Sequence, residues 1–280
     1  MTNILITGAS GFVGMQVMKI LNNLENINLF PIVRIKKKNI FKKFKNVKKT
    51  HVTKDVFNET EKWWKRKLDK IDIVIHIAWY TEHGKYLDSE LNINCLYGSL
   101  RLGNAVAKSN VKRFVGIGTC LEYKQTNGKK TFDSELDPKN LYSITKVALF
   151  TSLQKLFLIK KKEFVWCRLF YLYGEGEDER RLSAYIHKQL KNGLEVKLTS
   201  GYQIRDFMNV YNAAEIISQI SLDKNVGAVN ICSEKPISIK KFAKNIAASY
   251  GRLDLLKFGK VKKKLYEPDA VWGVMNYDKN

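Results

Sequence analysis

A glycine pattern near the N-terminus constrains this chain more than any other feature. Thr7-Gly8-Ala9-Ser10-Gly11-Phe12-Val13-Gly14 follows the run Asn3-Ile4-Leu5-Ile6 and opens an apolar-periodic segment, Val13 to Leu24. A G-x-x-G-x-x-G turn between a strand and a helix brings main-chain N–H groups close to a pyrophosphate at the helix N-terminus. That setting is the one a dinucleotide-binding βαβ unit requires. Gly8, Ser10, Gly11, Phe12, Val13 and Gly14 are therefore candidate cofactor ligands.

Downstream the chain keeps alternating short β-rich runs with longer helical patterns. Strands are expected at Leu29 to Arg34, His51 to Asp55, Ile71 to Ala78, Arg113 to Gly118 and Phe164 to Phe170. Helices are expected at Leu91 to Ala107 and Leu141 to Leu158. Pro31 is awkward, because proline removes a ladder donor from what should be an interior strand. The alternation predicts an α/β fold, a Rossmann doubly wound parallel sheet with a smaller C-terminal substrate-binding lobe. The dinucleotide-binding domain is expected over 1–170, with segments of about 205–232 returning to it. The lobe is expected over 171–204 and 233–280.

The formal net charge is +22, much of it in a lysine-rich stretch from Lys36 through Lys49 and another at Lys257 to Lys264. Such charge favours any polyanion, but no zinc-finger or RNP-type pattern accompanies it. The expectation is a solvated basic surface and no nucleic-acid partner, the first stretch reading as a low-complexity connection. No run of apolar residues approaches a membrane span, and nothing resembling a secretory signal precedes the first strand. Cys95, Cys120, Cys167 and Cys232 lie far apart in apolar contexts. They read as buried thiols of a cytoplasmic protein, with no metal-ligand spacing.

Two further places carry chemistry. An NAD site usually has a carboxylate at the end of the second strand, for the ribose hydroxyls; here stand Arg34, Lys36 and Lys37. A cation there suits the 2′-phosphate of NADP, so NADPH is the expected cofactor and NAD the less favoured one. Asp55 and Val56 after the third strand are candidates for the adenine side. Tyr142-Ser143-Ile144-Thr145-Lys146 puts a phenol and an ammonium one helical turn apart. Their proximity would lower the tyrosine pKa toward neutrality. Thr119, closing the strand that begins at Arg113, would hydrogen-bond a substrate carbonyl beside Tyr142.

In order and spacing these motifs resemble the extended short-chain dehydrogenases/reductases, the nucleotide-sugar epimerase/dehydratase group, from Met1 to about Gly251. His76-Ile77-Ala78-Trp79 is similar to that group's H-x-A segment near the cofactor. Gly118-Thr119-Cys120-Leu121-Glu122-Tyr123 resembles its Ser/Thr-bearing strand end. Arg168 to Gly174 matches R-x-x-x-x-Y-G, and Arg205-Asp206-Phe207 with Val210 matches R-D-F-x-x-V. The resemblance implies Thr119, Tyr142 and Lys146 as catalytic residues, Ala78 at the cofactor, and Trp79, Glu122 and Arg205 at the substrate, Arg205 on its diphosphate. Glu122 and His83 are weighed as sugar contacts against structural or solvent-facing places. The 4,6-dehydratases carry an Asp-Glu pair after the catalytic Thr; Cys120 and Leu121 occupy those places, so elimination of water lacks its acid and base. Cys95 stands where the group usually has Asn, which questions the support of that helix.

The chain is most similar to reductases of NDP-4-keto-6-deoxyhexoses. That implies NADPH-dependent reduction of a C4 keto group in deoxysugar (surface polysaccharide) biosynthesis, with a nucleotide sugar as partner. It also implies a homodimer through a four-helix bundle, built from the helices that start near Leu91 and Leu141. The alternatives are an NAD-dependent nucleotide-sugar epimerase and, from another class, a basic RNA-binding Rossmann-like protein.

Overall fold

The structure, a computed structural model, describes residues 1–262 and 268–277. The chain begins with β1 (Thr2–Thr7), α1 (Phe12–Leu21), β2 (Ile27–Arg34), β3 (His51–Thr53), α2 (Glu61–Lys67), β4 (Ile73–His76), α3 (Leu91–Ala107) and β5 (Arg113–Thr119). A short β6 (Gly128–Lys130) precedes α4 (Leu141–Ile159) and β7 (Glu163–Leu169). Next come β8 (Tyr171–Tyr173), α5 (Leu182–Lys191), β9 (Val196–Lys197), β10 (Ile204–Arg205), β11 (Phe207–Asn209), α6 (Val210–Leu222) and β12 (Gly227–Ile231). The last elements are β13 (Ile237–Ser238), α7 (Ile239–Ser249), β14 (Leu256–Lys257) and β15 (Ala270–Gly273).

Seven strands form one sheet in the order β12-β7-β5-β4-β1-β2-β3, every neighbouring pair parallel. Successive side chains on a strand face opposite ways, and each face meets its own helices. Ile4 and Ile6 pack with Val17, Leu21 and Ile217 of α1 and α6. Leu5, Val74 and Phe114 pack with Leu102, Leu149 and Phe157 of α3 and α4. Because all strands run the same way, Thr7, Arg34, His76 and Thr119 end at one edge of the sheet. The order of connection reverses between β1 and β4, and in such sheets the ligand crevice opens at that point.

Several boundaries differ from expectation. α1 stops at Leu21 with Asn22 as its C-cap, and Asn26 takes a left-handed φ of 59° to enter β2. β4 is confined to Ile73–His76 within the longer apolar run. Pro31 lies inside β2, opposite Ile6. Leu29, two residues earlier and so facing the same side, donates its N–H away from β1 to Asn46 O. The donor that proline lacks therefore faces the outer edge, and the β1–β2 ladder is intact.

The lysine-rich connection between β2 and β3 is folded. Its lysines are exposed, while Phe41 is 1% exposed and Ile40, Phe44 and Val47 pack beside it against the α1 face of the sheet. Spaced apolar residues pin a basic surface that composition alone makes look featureless. Of the second basic stretch, Lys263 and Lys264 lie outside the described residues.

The C-terminal third divides its segments. α6 packs on α1, and β12 extends the main sheet beside β7. α5, α7 and β9 enclose a separate apolar cluster of Ile186, Leu190, Val196, Leu198, Ala243, Ala247 and Leu255. A four-stranded sheet, β13-β10-β15-β6, ties this region to the loop after β5. Among the described residues no helix is long and apolar enough to cross a membrane.

If Phe41 anchors the basic connection, Phe41→Ala should cost about 3–5 kcal/mol in denaturant unfolding, whereas Lys42→Ala and Lys43→Ala should each stay within about 0.5 kcal/mol. Equal, small effects at all three positions would mean that the connection is not pinned.

Candidate active site

The glycine turn packs directly on the end of β4. Gly8 has φ 68°, and a Cβ there would fall 2.6 Å from the Ala78 nitrogen; at Gly14 it would fall 2.1 Å from the Gly8 carbonyl oxygen. Only glycine permits this approach. Gly11 caps α1 without a side-chain hydrogen bond, and no acidic residue stands in the first turn. The first N–H groups of α1 and the positive end of its dipole are thus left for an anion. Thr7 Oγ1 accepts from the Ala78 N–H at 3.2 Å and is 2.7 Å from His76 Nδ1. His76 Nε2 is 2.7 Å from Ser99 Oγ, and burial, aided by the Lys146 charge, pushes the imidazole down to about 3. His76 is therefore a neutral strut between β1, β4 and α3.

This donor set fits a dinucleotide. The cradle offers main-chain N–H groups to a pyrophosphate, with Ser10, Gly11, Phe12 and Val13 all partly or fully exposed. Arg34 is exposed at the end of β2, and its side chain makes no hydrogen bond or ion pair among the described residues. Asp55 caps the turn Val56–Asn58, its carboxylate accepting from Phe57 N and Asn58 Nδ2. Among the described residues no cluster of His, Cys, Asp and Glu is arranged to hold a metal ion.

Beside the cradle, Asn140 caps α4 and exchanges hydrogen bonds with Ser143, which sets the direction of the first turn. Tyr142 in that turn donates its N–H to Leu87 O at 2.8 Å. Its phenol lies within interaction range of the Thr119 hydroxyl at the end of β5, which favours the phenolate. Lys146, one turn on and 3% exposed, donates from Nζ to Ile117 O at 2.6 Å. The three residues are brought together at the mouth of the crevice.

Their electrostatics differ from the expectation that the lysine would lower the phenol. The Lys146 ammonium is 5.9 Å from the Tyr142 ring centroid but only 3.8 Å from that of Trp79. Burial, then Tyr86 and Glu122, push the Tyr142 phenol well above its ordinary value, and the nearby Thr119 hydroxyl opposes them. Tyr142 is consequently a held proton. Burial also pushes Lys146 down to about 7, against the pull of Glu122 and Cys95.

Two expected substrate contacts stand elsewhere. Glu122 is fully buried behind Thr119; its carboxylate accepts from Thr119 N at 2.8 Å, Trp166 Nε1 at 3.0 Å and Arg168 Nε at 2.7 Å. Arg205 is 1% exposed and donates to the carbonyls of Ile204 and Pro268, each at 2.8 Å, which ties β10 to the chain entering β15. R-D-F is here a brace: Asp206 accepts from Ser233 N and Oγ, Glu234 N and Gly273 N. Trp79 does lie at the site, half-buried, as an edge neighbour of Tyr142. His83 stands near Asp178 of the segment after β8. Cys95 is buried and α3 runs unbroken past it, its thiol pushed up to about 11 by burial.

Three further contributors were not singled out by sequence reasoning. Tyr86 meets the Tyr142 ring edge-on at 4.9 Å. Asn92 accepts from Trp79 Nε1 at 2.8 Å and donates to Tyr86 O and Ser89 O. Arg168 carries the buried charge that balances Glu122. No motif marks the first two; for Arg168, the R-x-x-x-x-Y-G match was the available signal.

Known proteins share this fold. A curated relative from Aggregatibacter actinomycetemcomitans, dTDP-6-deoxy-L-talose 4-dehydrogenase (NAD(+)), is 24% identical over 279 residues, covering 97% of this chain and 99% of that protein. UDP-N-acetylglucosamine 4-epimerase from Methanobrevibacter ruminantium M1 superposes with a TM-score of 0.86 at 19% identity, over 98% of this chain and 90% of that one. UDP-glucuronic acid 4-epimerase from Bacillus cereus, solved in complex with NAD, gives 0.81 at 20% identity, over 98% and 88%. At such identities the solved structures speak for the fold alone. The sequence profile of the NAD dependent epimerase/dehydratase family matches residues 4–232, and the chain belongs to that family.

Proposed function

We propose that this protein reduces the C4 keto group of an NDP-4-keto-6-deoxyhexose, using a nicotinamide dinucleotide. The observation that carries the reading is the convergence of the Thr119 hydroxyl and the Tyr142 phenol beside Lys146, whose ammonium lies 5.9 Å from the phenol ring centroid. Hydride to C4 is the chemistry the dinucleotide supplies when bound. Thr119 donates to the carbonyl oxygen and polarises it, and Tyr142 gives that oxygen its proton as charge develops. Lys146 supplies a positive charge close to the same oxygen and would hold the nicotinamide ribose together with Tyr142. The glycine turn holds the pyrophosphate, Ala78 lines the path between, and Asp55 and Val56 flank the adenine side.

Dehydration finds no acid–base pair here. Cys120 is buried with its thiol pushed up to about 12, and Leu121 is apolar. The relative from Aggregatibacter is named for oxidation at C4 of a dTDP-linked 6-deoxyhexose, and oxidation and reduction at one carbon are the same reaction read in two directions. The four buried thiols fit a cytoplasmic setting. Two named epimerases share the fold, so epimerisation through a retained NAD is the second reading.

For the dinucleotide we favour NADPH, because exposed Arg34, with Lys36 and Lys37 behind it, stands where a carboxylate would serve NAD. The relative from Aggregatibacter is named for NAD(+) and the Bacillus cereus epimerase was solved with NAD, which makes the preference a point to measure. A homodimer is also proposed: Tyr97 on α3 and Ile144 on α4 are 62% and 46% exposed, apolar surface on two helices packed together.

With NDP-4-keto-6-deoxyhexoses as substrates, Tyr142→Phe should lower kcat by about 10²–10⁴-fold and leave dinucleotide affinity near wild type. A wild-type rate would remove the phenol from the mechanism; tightly held NAD with no net NADPH oxidation would favour the epimerase. Arg34→Ala should weaken NADPH binding about 10- to 100-fold and leave NADH binding unchanged, and equal effects on both would withdraw the NADP preference. Light scattering at micromolar concentration should give the mass of two chains, and a single-chain mass would refute the dimer.

A further inference from the structure

The residue after the H-x-A segment is a tryptophan whose indole does more than line a wall. The Lys146 ammonium lies 3.8 Å from the Trp79 ring centroid, far closer than to the rings of Tyr142 and Trp166 at 5.9 and 5.8 Å. A cation over an indole face is attracted by the ring's negative quadrupole, and more strongly where water is excluded. Lys146 has lost nearly all its water and is offered one carbonyl, that of Ile117. The indole face replaces part of the missing solvation.

The indole is itself fixed. Trp79 Nε1 donates to Asn92 Oδ1 at 2.8 Å, and fully buried Asn92 spends its amide hydrogens on Tyr86 O and Ser89 O at 2.6 and 2.9 Å. One amide therefore sets Trp79 and the backbone of Tyr86 together. Trp79 and Tyr86 both meet the Tyr142 ring edge-on, at 6.4 and 4.9 Å. The ammonium and the phenol are aligned by the same frame.

We propose that Trp79 is a positioning residue that keeps Lys146 charged and in place, with Asn92 setting the indole. This rests on Lys146 acting as an ammonium in the reaction proposed above. The other groups around that ammonium are Tyr142 on its own helix, Glu122 after β5, Cys95 on α3 and neutral His76 on β4. Glu122 favours the charged form from one side, and the indole favours it from another. Removing the aromatic face disfavours the ammonium, so the alkaline limb of the rate, where Lys146 loses its proton, moves to lower pH.

The first test needs no substrate. Trp79 emission in the cofactor-free protein, isolated as wild type minus Trp79→Phe, should change in one step near neutral pH, and the same difference taken in a Lys146→Met background should be flat. A flat wild-type difference, or one that survives Lys146→Met, overturns the proposal. The second test is the pH profile of kcat/KM. Trp79→Leu should lower the alkaline limb by about one pH unit, Trp79→Phe should restore most of it, and Asn92→Leu should fall between. Identical limbs in Leu and Phe variants, both confirmed folded by their melts, also overturn it. Should Trp79→Leu fail to fold, the emission test decides. If wild type reduces no keto sugar yet the emission step appears, the C4 reading fails and the lysine–indole contact stands.

Discussion

The carboxylate of Glu122 has no access to water and is held by donors from three directions: the Thr119 amide at the end of β5, and the Trp166 indole and Arg168 guanidinium on β7. A buried charge is tolerated only when paired and hydrogen-bonded, and stripping one partner from such a pair costs about 3–5 kcal/mol. The chain meets that demand by placing Arg168 opposite, its guanidinium 4.8 Å from the ring centroids of both Tyr123 and Phe150. Adjacent parallel strands are thereby locked at their carboxyl ends, where the Thr119 hydroxyl accepts from Leu121 N and caps the turn that follows. The same negative charge works on both candidate ionisable groups of the site, favouring the ammonium of Lys146 and disfavouring the phenolate of Tyr142.

A phenol whose pKa is held above its ordinary value beside a threonine hydroxyl is placed to give a proton to a carbonyl oxygen, as the reduction proposed above requires. The lysine ammonium lies over an indole, closer to Trp79 than to the phenol ring. The glycine cradle solves a separate problem: Gly8 and Gly14 allow the turn to touch β4 and its own carbonyl, so that a dinucleotide laid across the end of α1 would reach the place where Thr119 and Tyr142 meet.

Features carried by local pattern were legible in the sequence. The strand–glycine turn–helix, the alternation of strands and helices, and the i, i+4 spacing of Tyr142 and Lys146 all survive into the structure because each is set within a few residues. What depends on distant partners was read less well. Glu122, open in the sequence between a sugar contact and a structural place, faces Arg168 across the sheet, and Arg205, a substrate contact by its motif, grips carbonyls more than sixty residues away in sequence. The Asn92–Trp79–Tyr86 frame has no sequence signature, since it depends on a loop folding back over the start of α4. The lysine-rich connection misleads in the opposite sense, its composition hiding the anchor of Phe41.

The central claim, that hydride is delivered to C4 where Thr119 and Tyr142 converge, is tested most directly by isotope transfer. Dinucleotide deuterated at the nicotinamide C4 position would be turned over with NDP-4-keto-6-deoxyhexoses and the product examined by NMR. The account predicts one deuterium at the sugar C4, in step with dinucleotide oxidised. Deuterium at any other carbon, or oxidation without label in the sugar, would contradict it.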